Sequence, residues 1–306
     1  MKIGILGIGG IGGFVGASLA KYYKNNPSEI EIVFICRGKI KAAIESDGLV
    51  YTSKGITETV FPHLVSDDPR QIGKLDFLLV TTKSYSLIDA IKNYQECLDQ
   101  NSTIVTLQNM VNAKELIEGS IDSKFNILEG CIYVASNINS PGHVTHLGGP
   151  GKILIGGNEY NKAYQSFVNT LLLAGVDITF LEDIHSILWK KYLFVAPVAA
   201  VTTAYDVTFG ELLENTSLQQ ILREMMCELQ KLALAKGVEL SYGDIETSVN
   251  LLTKFPYEAK SSLQLDYENS KPNEKQYLVD YVIEECKKEG IYCPVYNQTN
   301  KLMIWQ

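Results

Sequence analysis

The chain has 306 residues, of which 46% are hydrophobic and 20% charged, and this composition excludes an intrinsically disordered protein. Its length, about twice that of an ordinary domain, predicts two domains. The 35 acidic residues outnumber the 27 lysines and arginines, and the resulting formal charge of −8 argues against nucleic-acid binding, which depends on neutralising phosphates.

The sequence predicts neither an export signal nor a membrane span nor a metal site. Its first residues enter a strand-like run without the regions of a signal peptide. The longest apolar stretch, Tyr192 to Val201, is about half as long as a bilayer span and contains Pro197, so we predict a buried helix there. The six cysteines include no Cys-x-x-Cys pair, and His143 and His146 have no further ligand nearby in sequence. We therefore expect a cytoplasmic protein that binds no membrane.

In chain order, the first elements predict a βαβ unit. The apolar run Lys2 to Leu6 ends in glycines, Ile11 to Tyr23 have helical spacing, and Ile30 to Cys36 form a second apolar run. Strand, glycine turn, helix and strand in this order are typical of a parallel pair joined by a helical crossover.

Strands and helices continue to alternate to about residue 182. The further predicted strands are Phe77 to Thr81, Ile104 to Leu107, Ile127 to Val134 and Val176 to Leu181, and the predicted helices are Leu87 to Leu98, Ala113 to Gly119 and Tyr160 to Leu173. The glycine-rich segment Gly142 to Gly157 is interpreted as a hairpin. Such alternation predicts an α/β domain over residues 1–182 with a mainly parallel, doubly wound sheet.

The rest of the chain, residues 183–306, predicts an all-helical second domain. Helical patterns occupy residues 184–204, 216–236, 244–255, 274–289 and 294–304. In the fourth of these, Asn273 and Gln276 have the spacing of a capping box, and Gly290 is a typical terminating residue.

The glycine turn after the first strand predicts a dinucleotide site. It reads Gly7-Ile8-Gly9-Gly10-Ile11-Gly12, a G-x-G-x-x-G motif between a strand and a helix. The first glycine permits the turn, the second lets the backbone approach a pyrophosphate, and the third allows the helix to pack closely on the sheet. The alternative is a tight turn that binds no ligand.

The residues after the second strand favour NADP(H) over NAD(H). NAD-binding domains place an acidic residue there to hold the ribose hydroxyl, whereas this chain has Arg37 and Lys39. A guanidinium can pair with the 2′-phosphate of NADP in two hydrogen bonds. The alternative is that Arg37 is a solvated loop residue.

The chain resembles a known family, the ketopantoate reductases, whose second domain is similar to the C-terminal domain of 6-phosphogluconate dehydrogenase. The resemblance extends nearly from end to end. It depends on the glycine turn, Arg37, Thr82-Lys83, Leu107-Gln108-Asn109, Trp189-Lys190-Lys191, Gly210-Glu211-Leu212, Lys260-Ser261-Ser262 and Glu274. It implies a Rossmann-type N-terminal domain, a small-molecule 2-keto acid substrate between the domains, and dimerisation.

By this resemblance Lys191 is the catalytic residue, and Ser262 and Glu274 bind substrate. Asn109 lines the site of both substrate and cofactor, and Lys83 belongs to the cofactor site. The sequence gives Lys191 a partly apolar position, between Ile187 and Val195 on one helical face. Burial there would disfavour the charged form and lower the pKa of Lys191, as a general acid requires, while the alternative is an ordinary surface lysine.

The other implied residues have plain alternatives. Glu274 would stabilise a helix N-terminus through the dipole, and Ser262 would begin a helix or occupy a loop. Asn109 and Lys83 follow predicted strands at the carboxyl edge, where doubly wound sheets bind ligands, but turn residues also lie there.

Four positions depart from the family pattern. Val195 and Ala199 replace asparagines that follow the catalytic lysine, Phe209 replaces another before the Gly-Glu-Leu motif, and Met110 replaces a glycine. The predicted function is NADPH-dependent reduction of 2-dehydropantoate to (R)-pantoate, a step of pantothenate and coenzyme A biosynthesis. Because these substitutions make the pocket more apolar, two alternatives stay open: a reductase of a more apolar 2-keto acid, and a non-catalytic NADP(H) sensor.

Overall fold

The structure, a computed structural model, describes residues 1–24, 29–122, 125–157 and 159–303. The chain divides into two compact units. The first consists of Met1–Gln108 and Asn112–Ile184, and the second of Asn109–Val111 and His185–Gln306. That residues 1–182 and 183–306 are separate folding domains stays a prediction.

The described strands of the first unit form one ten-stranded sheet. They are β1 (Lys2–Leu6), β2 (Glu31–Ile35), β3 (Leu49–Ser53), β4 (Ile56–Val60), β5 (Leu64–Ser66), β6 (Phe77–Val80), β7 (Thr103–Thr106), β8 (Asn126–Ser140), β9 (His143–Gly156) and β10 (Ile178–Leu181). Seven of the nine neighbouring pairs in the described sheet are parallel, and only β3 with β4 and β8 with β9 are antiparallel. The prediction of a mainly parallel sheet is therefore confirmed.

The middle of this sheet has the strand order of a Rossmann-type domain. The strands run β5-β2-β1-β6-β7-β8, which is the order 3-2-1-4-5-6 when the β3–β4 hairpin is set aside. Leu6 of β1 pairs with Ile35 of β2 and with Val80 of β6, so these strands end level. The residues that follow them therefore share one edge, the carboxyl edge at which such sheets bind ligands.

The described helices of the first unit cover the hydrophobic residues of this sheet. They are α1 (Gly10–Tyr23), α2 (Gly38–Asp47), α3 (Pro69–Ile72), α4 (Leu87–Asn93), α5 (Ala113–Ser120) and α6 (Lys162–Leu173), with short 3₁₀ turns at Ser84–Ser86 and Gln95–Cys97. Phe77 of β6 stacks on Phe167 of α6 with ring centroids 4.3 Å apart, and both rings are buried. Such burial of aromatic rings contributes strongly to the core.

One prediction about the sheet was wrong, and three strands were missed. The segment Gly142 to Gly157 is one strand rather than a hairpin, because β9 pairs along its length with β8. The strands β3, β4 and β5 were not predicted. The pair β3 and β4 is mostly half-buried or exposed, so it lacks the continuous apolar run that marks the central strands.

The second unit is helical, as predicted. Its helices are α7 (Ile184–Tyr205, whose first residue belongs to the first unit), α8 (Phe209–Glu214), α9 (Thr216–Ala235), α10 (Tyr242–Leu251), α11 (Ser262–Glu268), α12 (Tyr281–Lys288) and α13 (Pro294–Leu302). A 3₁₀ turn at Leu252–Lys254 extends α10, and a π-helical segment at Gln276–Asp280 precedes α12. The short helices α8 and α11 were missed because six or seven residues are too few for a helical pattern.

The fourth predicted helix ends as the sequence predicts, but it begins differently. Gly290 ends it with φ +67°, as predicted. The Asn273 side chain, however, accepts a hydrogen bond from the backbone N–H of Lys275, two residues along the chain, rather than from that of Gln276 as a capping box requires.

Helix α7 is the one described helix with the length and composition to cross a bilayer. However, 61% of its most apolar stretch is buried inside the protein. Leu193, Ala196 and Ala200 are fully buried, as expected for the predicted buried helix.

Candidate active site

The glycine turn has the backbone conformation that its motif predicts. Gly7 has φ +97°, a value that L-residues rarely adopt, and a Cβ there would lie 2.9 Å from the Thr82 Cγ2. A Cβ at Gly12 would overlap the carbonyl oxygen of Gly7. The turn and the start of α1 are therefore packed too closely for any other residue at these two positions.

Gly9 differs from its neighbours because the space beside it is open. A Cβ on Gly9 would meet no heavy atom within 4 Å, whereas one on Gly10 would overlap the backbone carbonyl of Ser136. Gly9 caps α1, and its carbonyl accepts the first helical hydrogen bond, from Gly13 N at 2.8 Å. The amides that precede Gly13 thus lie outside the helical ladder, and the first turn of α1 carries no acidic residue. An open cradle with amides and a positive dipole fits a pyrophosphate.

The end of β2 presents exposed cations. Arg37 caps α2, and both Arg37 and Lys39 are exposed, while the described first turn of α2 holds no acidic residue. Lys41, by contrast, is paired with Asp67 at 2.7 Å. The thiol of the preceding Cys36 is buried, and burial raises its pKa to about 12, so it is neutral.

The ends of β6 and β7 are joined by the side chain of Gln108, to which the sequence analysis assigned no role although it quoted the residue in a motif. The Gln108 Nε2 donates to the carbonyl oxygens of Val80 and Thr82, each at 3.1 Å. The Gln108 Oε1 and the Thr82 Oγ1 are buried, and neither has a hydrogen-bond partner in the described part of the chain. Lys83 follows directly, half-buried, at the cap of the 3₁₀ turn Ser84–Ser86. The position of Thr82 and Gln108 after buried strands was the available signal.

In the second unit, Lys191 is hydrogen-bonded to Asn109. The Lys191 Nζ donates to the Asn109 Oδ1 at 2.8 Å, and both residues are half-buried. The adjacent Lys190 is exposed and forms a 3.2 Å ion pair with Asp244. Asp244 lies in the capping box at the N-terminus of α10. The two neighbouring lysines therefore point in different directions, as the helical spacing predicts.

Glu274 is a buried carboxylate rather than a residue on an exposed helix end. It is 6% exposed and lies just before the π-helical segment, where its backbone carbonyl accepts from Tyr277 N at 2.9 Å and Leu278 N at 3.0 Å. Charged side chains are seldom buried without a specific reason.

The two serines of the Lys-Ser-Ser motif have separate places. Ser261 is buried, caps α11 by accepting from Gln264 N, and accepts from the Thr202 hydroxyl at 2.9 Å. Ser262 is exposed at the first turn of α11. Ser261 therefore has the structural role of capping α11, and the exposed Ser262 side chain is the one that a ligand can reach.

Apolar residues occupy the positions that depart from the family pattern. Val195 is half-buried and Ala199 buried on α7. The ring of Phe209 meets that of Phe255 edge-on at 5.3 Å, and Phe255 stacks on Phe194 at 5.8 Å. These three rings, Phe194, Phe209 and Phe255, are called the aromatic cluster below.

The histidines of the His-x-x-His pair serve the sheet. The two ring nitrogens of His146 contact the Ser53 hydroxyl at 3.0 Å and the Gly148 carbonyl at 2.9 Å. Within the described residues, no three His, Cys, Asp or Glu side chains converge as metal ligands.

Comparison with known proteins agrees with this architecture. The family model described as ketopantoate reductase PanE/ApbA matches residues 3–159, and the model of its C-terminal domain matches residues 183–303. An uncharacterized oxidoreductase of Bacillus subtilis, YkpB, is 26% identical over 299 residues, covering 96% of this chain and 95% of that protein. A 2-dehydropantoate 2-reductase of Pyrococcus horikoshii is 28% identical over 300 residues, covering 96% and 94%.

A solved structure shares the whole fold. The PanE/ApbA family ketopantoate reductase of Ralstonia eutropha superposes with a TM-score of 0.89 at 23% identity, over 99% of this chain and 97% of that one. The two family models together span most of the chain, and each falls mainly within one of its two compact units. The chain therefore belongs to the ketopantoate reductase PanE/ApbA family and is an oxidoreductase with a Rossmann-type, nicotinamide-binding domain.

Proposed function

We propose that this protein is an NADPH-dependent reductase of a 2-keto acid in which Lys191 is the general acid. The observation that carries the proposal is the hydrogen bond from the Lys191 Nζ to the Asn109 Oδ1. An ammonium group has three N–H donors and no acceptor, so the bond to Asn109 fixes the direction of one donor.

The cofactor site is proposed to comprise the glycine turn and the polar residues at the carboxyl ends of the strands. These residues are Gly7, Ile8, Gly9, Gly10, Ile11, Gly12, Arg37, Lys83 and Asn109. The open space at Gly9 would admit the pyrophosphate, and exposed Arg37 would pair with the 2′-phosphate. Because the described first turn of α2 has no carboxylate to repel that phosphate, NADP(H) is favoured over NAD(H).

In the reaction, bound NADPH supplies the hydride that reduces the keto carbon. Negative charge develops on the keto oxygen, and the Lys191 ammonium stabilises that charge and donates a proton to it. Asn109 orients the ammonium by accepting one of its N–H bonds. The lowered pKa expected for Lys191 stays a prediction.

The substrate is proposed to be held by Asn109, Ser262 and Glu274. The exposed Ser262 hydroxyl suits a carboxylate, and the buried Glu274 carboxylate suits a hydroxyl donor. The family relationship supports 2-dehydropantoate, reduced to (R)-pantoate, as the first substrate. Val195, Ala199 and Phe209 support a more apolar 2-keto acid as the second candidate. Location in the cytoplasm and formation of a homodimer stay predictions.

The test follows the loss of NADPH absorbance with 2-dehydropantoate and with a panel of other 2-keto acids, with NADH in parallel. Turnover of any 2-keto acid with NADPH, and much slower turnover with NADH, is the expected result. Tight NADPH binding without turnover on the whole panel would contradict the proposal and favour a sensor. Faster turnover with NADH would contradict the assignment of Arg37 alone.

A further inference from the structure

We propose that this reductase prefers 2-keto acids whose side chain is apolar and carries no hydroxyl. The inference rests on the proposed function and names the substrate class of that same site. It depends on two features of the second unit: the face of α7 that continues from Lys191, and the aromatic cluster.

The face of α7 that carries Lys191 offers no hydrogen bond for more than two turns. Positions three, four, seven and eight residues after Lys191 lie on its side of the helix, and they are Phe194, Val195, Val198 and Ala199. All four side chains are hydrocarbon; Phe194 and Val195 are half-buried, while Val198 and Ala199 are buried behind them. A substrate hydroxyl placed beside Phe194 or Val195 would therefore exchange its hydrogen bonds with water for contacts with carbon.

The first polar side chain farther along this face is already engaged. Thr202 is fully buried, and its hydroxyl is engaged by the Val198 carbonyl and the Ser261 hydroxyl, each at 2.9 Å. Both contacts are internal to the unit, and the contact with Ser261 joins α7 to the start of α11. Thr202 is thus unsuited to replace the missing amide groups.

The aromatic cluster supplies apolar surface one helical turn from Lys191. Phe255 is 38% exposed and Phe194 is half-buried, so part of the stacked pair faces solvent. Their rings are nearly parallel, with an interplanar angle of 11°, and the ring of Phe209 meets that of Phe255 edge-on at 81°. A flat or branched hydrocarbon group gains by covering such surface.

The cluster is held in place by the backbone rather than by its rings alone. Phe209 N donates to the Ala259 carbonyl at 2.8 Å, and Gly210 N donates to the Tyr257 carbonyl at 2.9 Å. A Cβ on Gly210 would overlap the Tyr257 ring. The segment that carries Phe255 is therefore fixed against the start of α8, and the apolar surface is a built feature of this unit.

The sharpest test compares two substrates that differ by one hydroxyl group. 2-Dehydropantoate is 4-hydroxy-3,3-dimethyl-2-oxobutanoate, and 3,3-dimethyl-2-oxobutanoate is the same acid without the hydroxyl. The Lys191 face of α7 offers the hydroxyl no hydrogen bond, so we expect kcat/KM with NADPH to be at least about tenfold higher for the second acid. A ratio that favours 2-dehydropantoate would mean that Glu274 holds the hydroxyl, and it would overturn the inference while leaving the reductase function intact. Absence of turnover on every keto acid would overturn both.

Two variants locate the preference on this face. Val195→Asn places an amide there and is expected to move the kcat/KM ratio toward 2-dehydropantoate by about tenfold. Val195→Ala is the matched control and keeps the preference for the apolar acid. Phe255→Leu, at a partly exposed position, is expected to lower kcat/KM for phenylglyoxylate more than for 3,3-dimethyl-2-oxobutanoate. Unchanged ratios in both Val195→Asn and Phe255→Leu would overturn the assignment to α7 and the aromatic cluster.

Discussion

The Lys191 Nζ donates a 2.8 Å hydrogen bond to the Asn109 Oδ1, although 82 residues separate the two in the sequence. Asn109 follows the end of β7, and Lys191 lies in the second turn of α7. An amide oxygen carries no charge and accepts hydrogen bonds, so the bond to Asn109 gives the Lys191 Nζ a defined direction without pairing it with an anion. This combination is what a residue that stabilises developing negative charge requires.

Replacing Lys191 by alanine should therefore abolish most of the activity and leave cofactor binding intact. Loss of a general acid lowers kcat by roughly 10²- to 10⁴-fold. Lys190→Ala is the matched control, because Lys190 is exposed and paired with Asp244 at 3.2 Å. Steady-state rates and NADPH titration by fluorescence measure both quantities. A near-normal kcat in Lys191→Ala would remove the catalytic assignment.

Arg37→Ala should weaken NADPH binding and leave NADH binding nearly unchanged. The loss of hydrogen bonds to a charged phosphate corresponds to roughly 10- to 100-fold in Kd. Arg70→Ala is a suitable control, because Arg70 is exposed and its guanidinium is held by Asp68 at 3.1 Å. Dissociation constants of both cofactors should be measured at fixed ionic strength, since the phosphate contact is screened by salt. An equal loss for NADPH and NADH would show that Arg37 does not read the 2′-phosphate.

Two glycines of the same turn should differ in what is lost on substitution by alanine: stability at Gly12, and cofactor binding at Gly9. Gly12→Ala would overlap the Gly7 carbonyl oxygen and should lower the free energy of unfolding by at least about 2 kcal/mol. Gly9→Ala meets no atom within 4 Å, so the protein without cofactor should keep its Tm. In Gly9→Ala the added methyl group would stand where the pyrophosphate approaches, so the rise of Tm on adding NADPH should disappear. An undiminished rise would mean that the cofactor does not pass over Gly9.

The parts of the fold that the sequence predicts correctly are those governed by one strong local signal. The strand, glycine turn and helix at the N-terminus combine an apolar run, a motif and a helical period. The strands β3 and β4 are joined by a turn with Lys54 and Gly55 at positive φ. They lack a strong apolar run because most of their residues are half-buried or exposed. The hairpin of β8 and β9 was misplaced for a related reason: its first strand resembles an ordinary strand of the parallel sheet.

The candidate site shows the same limit at the level of single residues. Lys191 is singled out by the family resemblance and by its place between apolar residues, whereas its bond to Asn109 joins distant segments and has no local pattern. Ser261 and Ser262 are adjacent and identical in type, and only the packing of Ser261 against Thr202 separates their roles. Phe209 is recognised in the sequence only as a missing asparagine, and its contact with Phe255 becomes visible through the tertiary structure.

Glu228 of α9 should make the stability of the fold depend on pH. It is 5% exposed, and its carboxylate accepts from Val295 N at 2.9 Å and Tyr296 N at 3.0 Å at the start of α13. Burial raises the pKa of Glu228 above its ordinary value of 4.5, although the two N–H donors oppose that rise. Because the folded state then binds the proton more tightly than the unfolded state, stability falls as pH rises from 4.5 through the folded-state pKa.

Glu228→Gln removes this titration while keeping a side-chain oxygen that can accept one of the two N–H bonds. We expect the free energy of unfolding of the unmodified protein, minus that of the variant, to decrease as pH rises from 4.5 toward neutrality. Urea denaturation at several pH values measures this difference. Glu224→Gln, at an exposed position of the same helix, leaves Glu228 in place and should keep most of the pH dependence of the unmodified protein. A difference that instead grows with pH would mean that the two amides at the start of α13 outweigh the cost of burying the charge, and that Glu228 acts chiefly as an anchor for that helix.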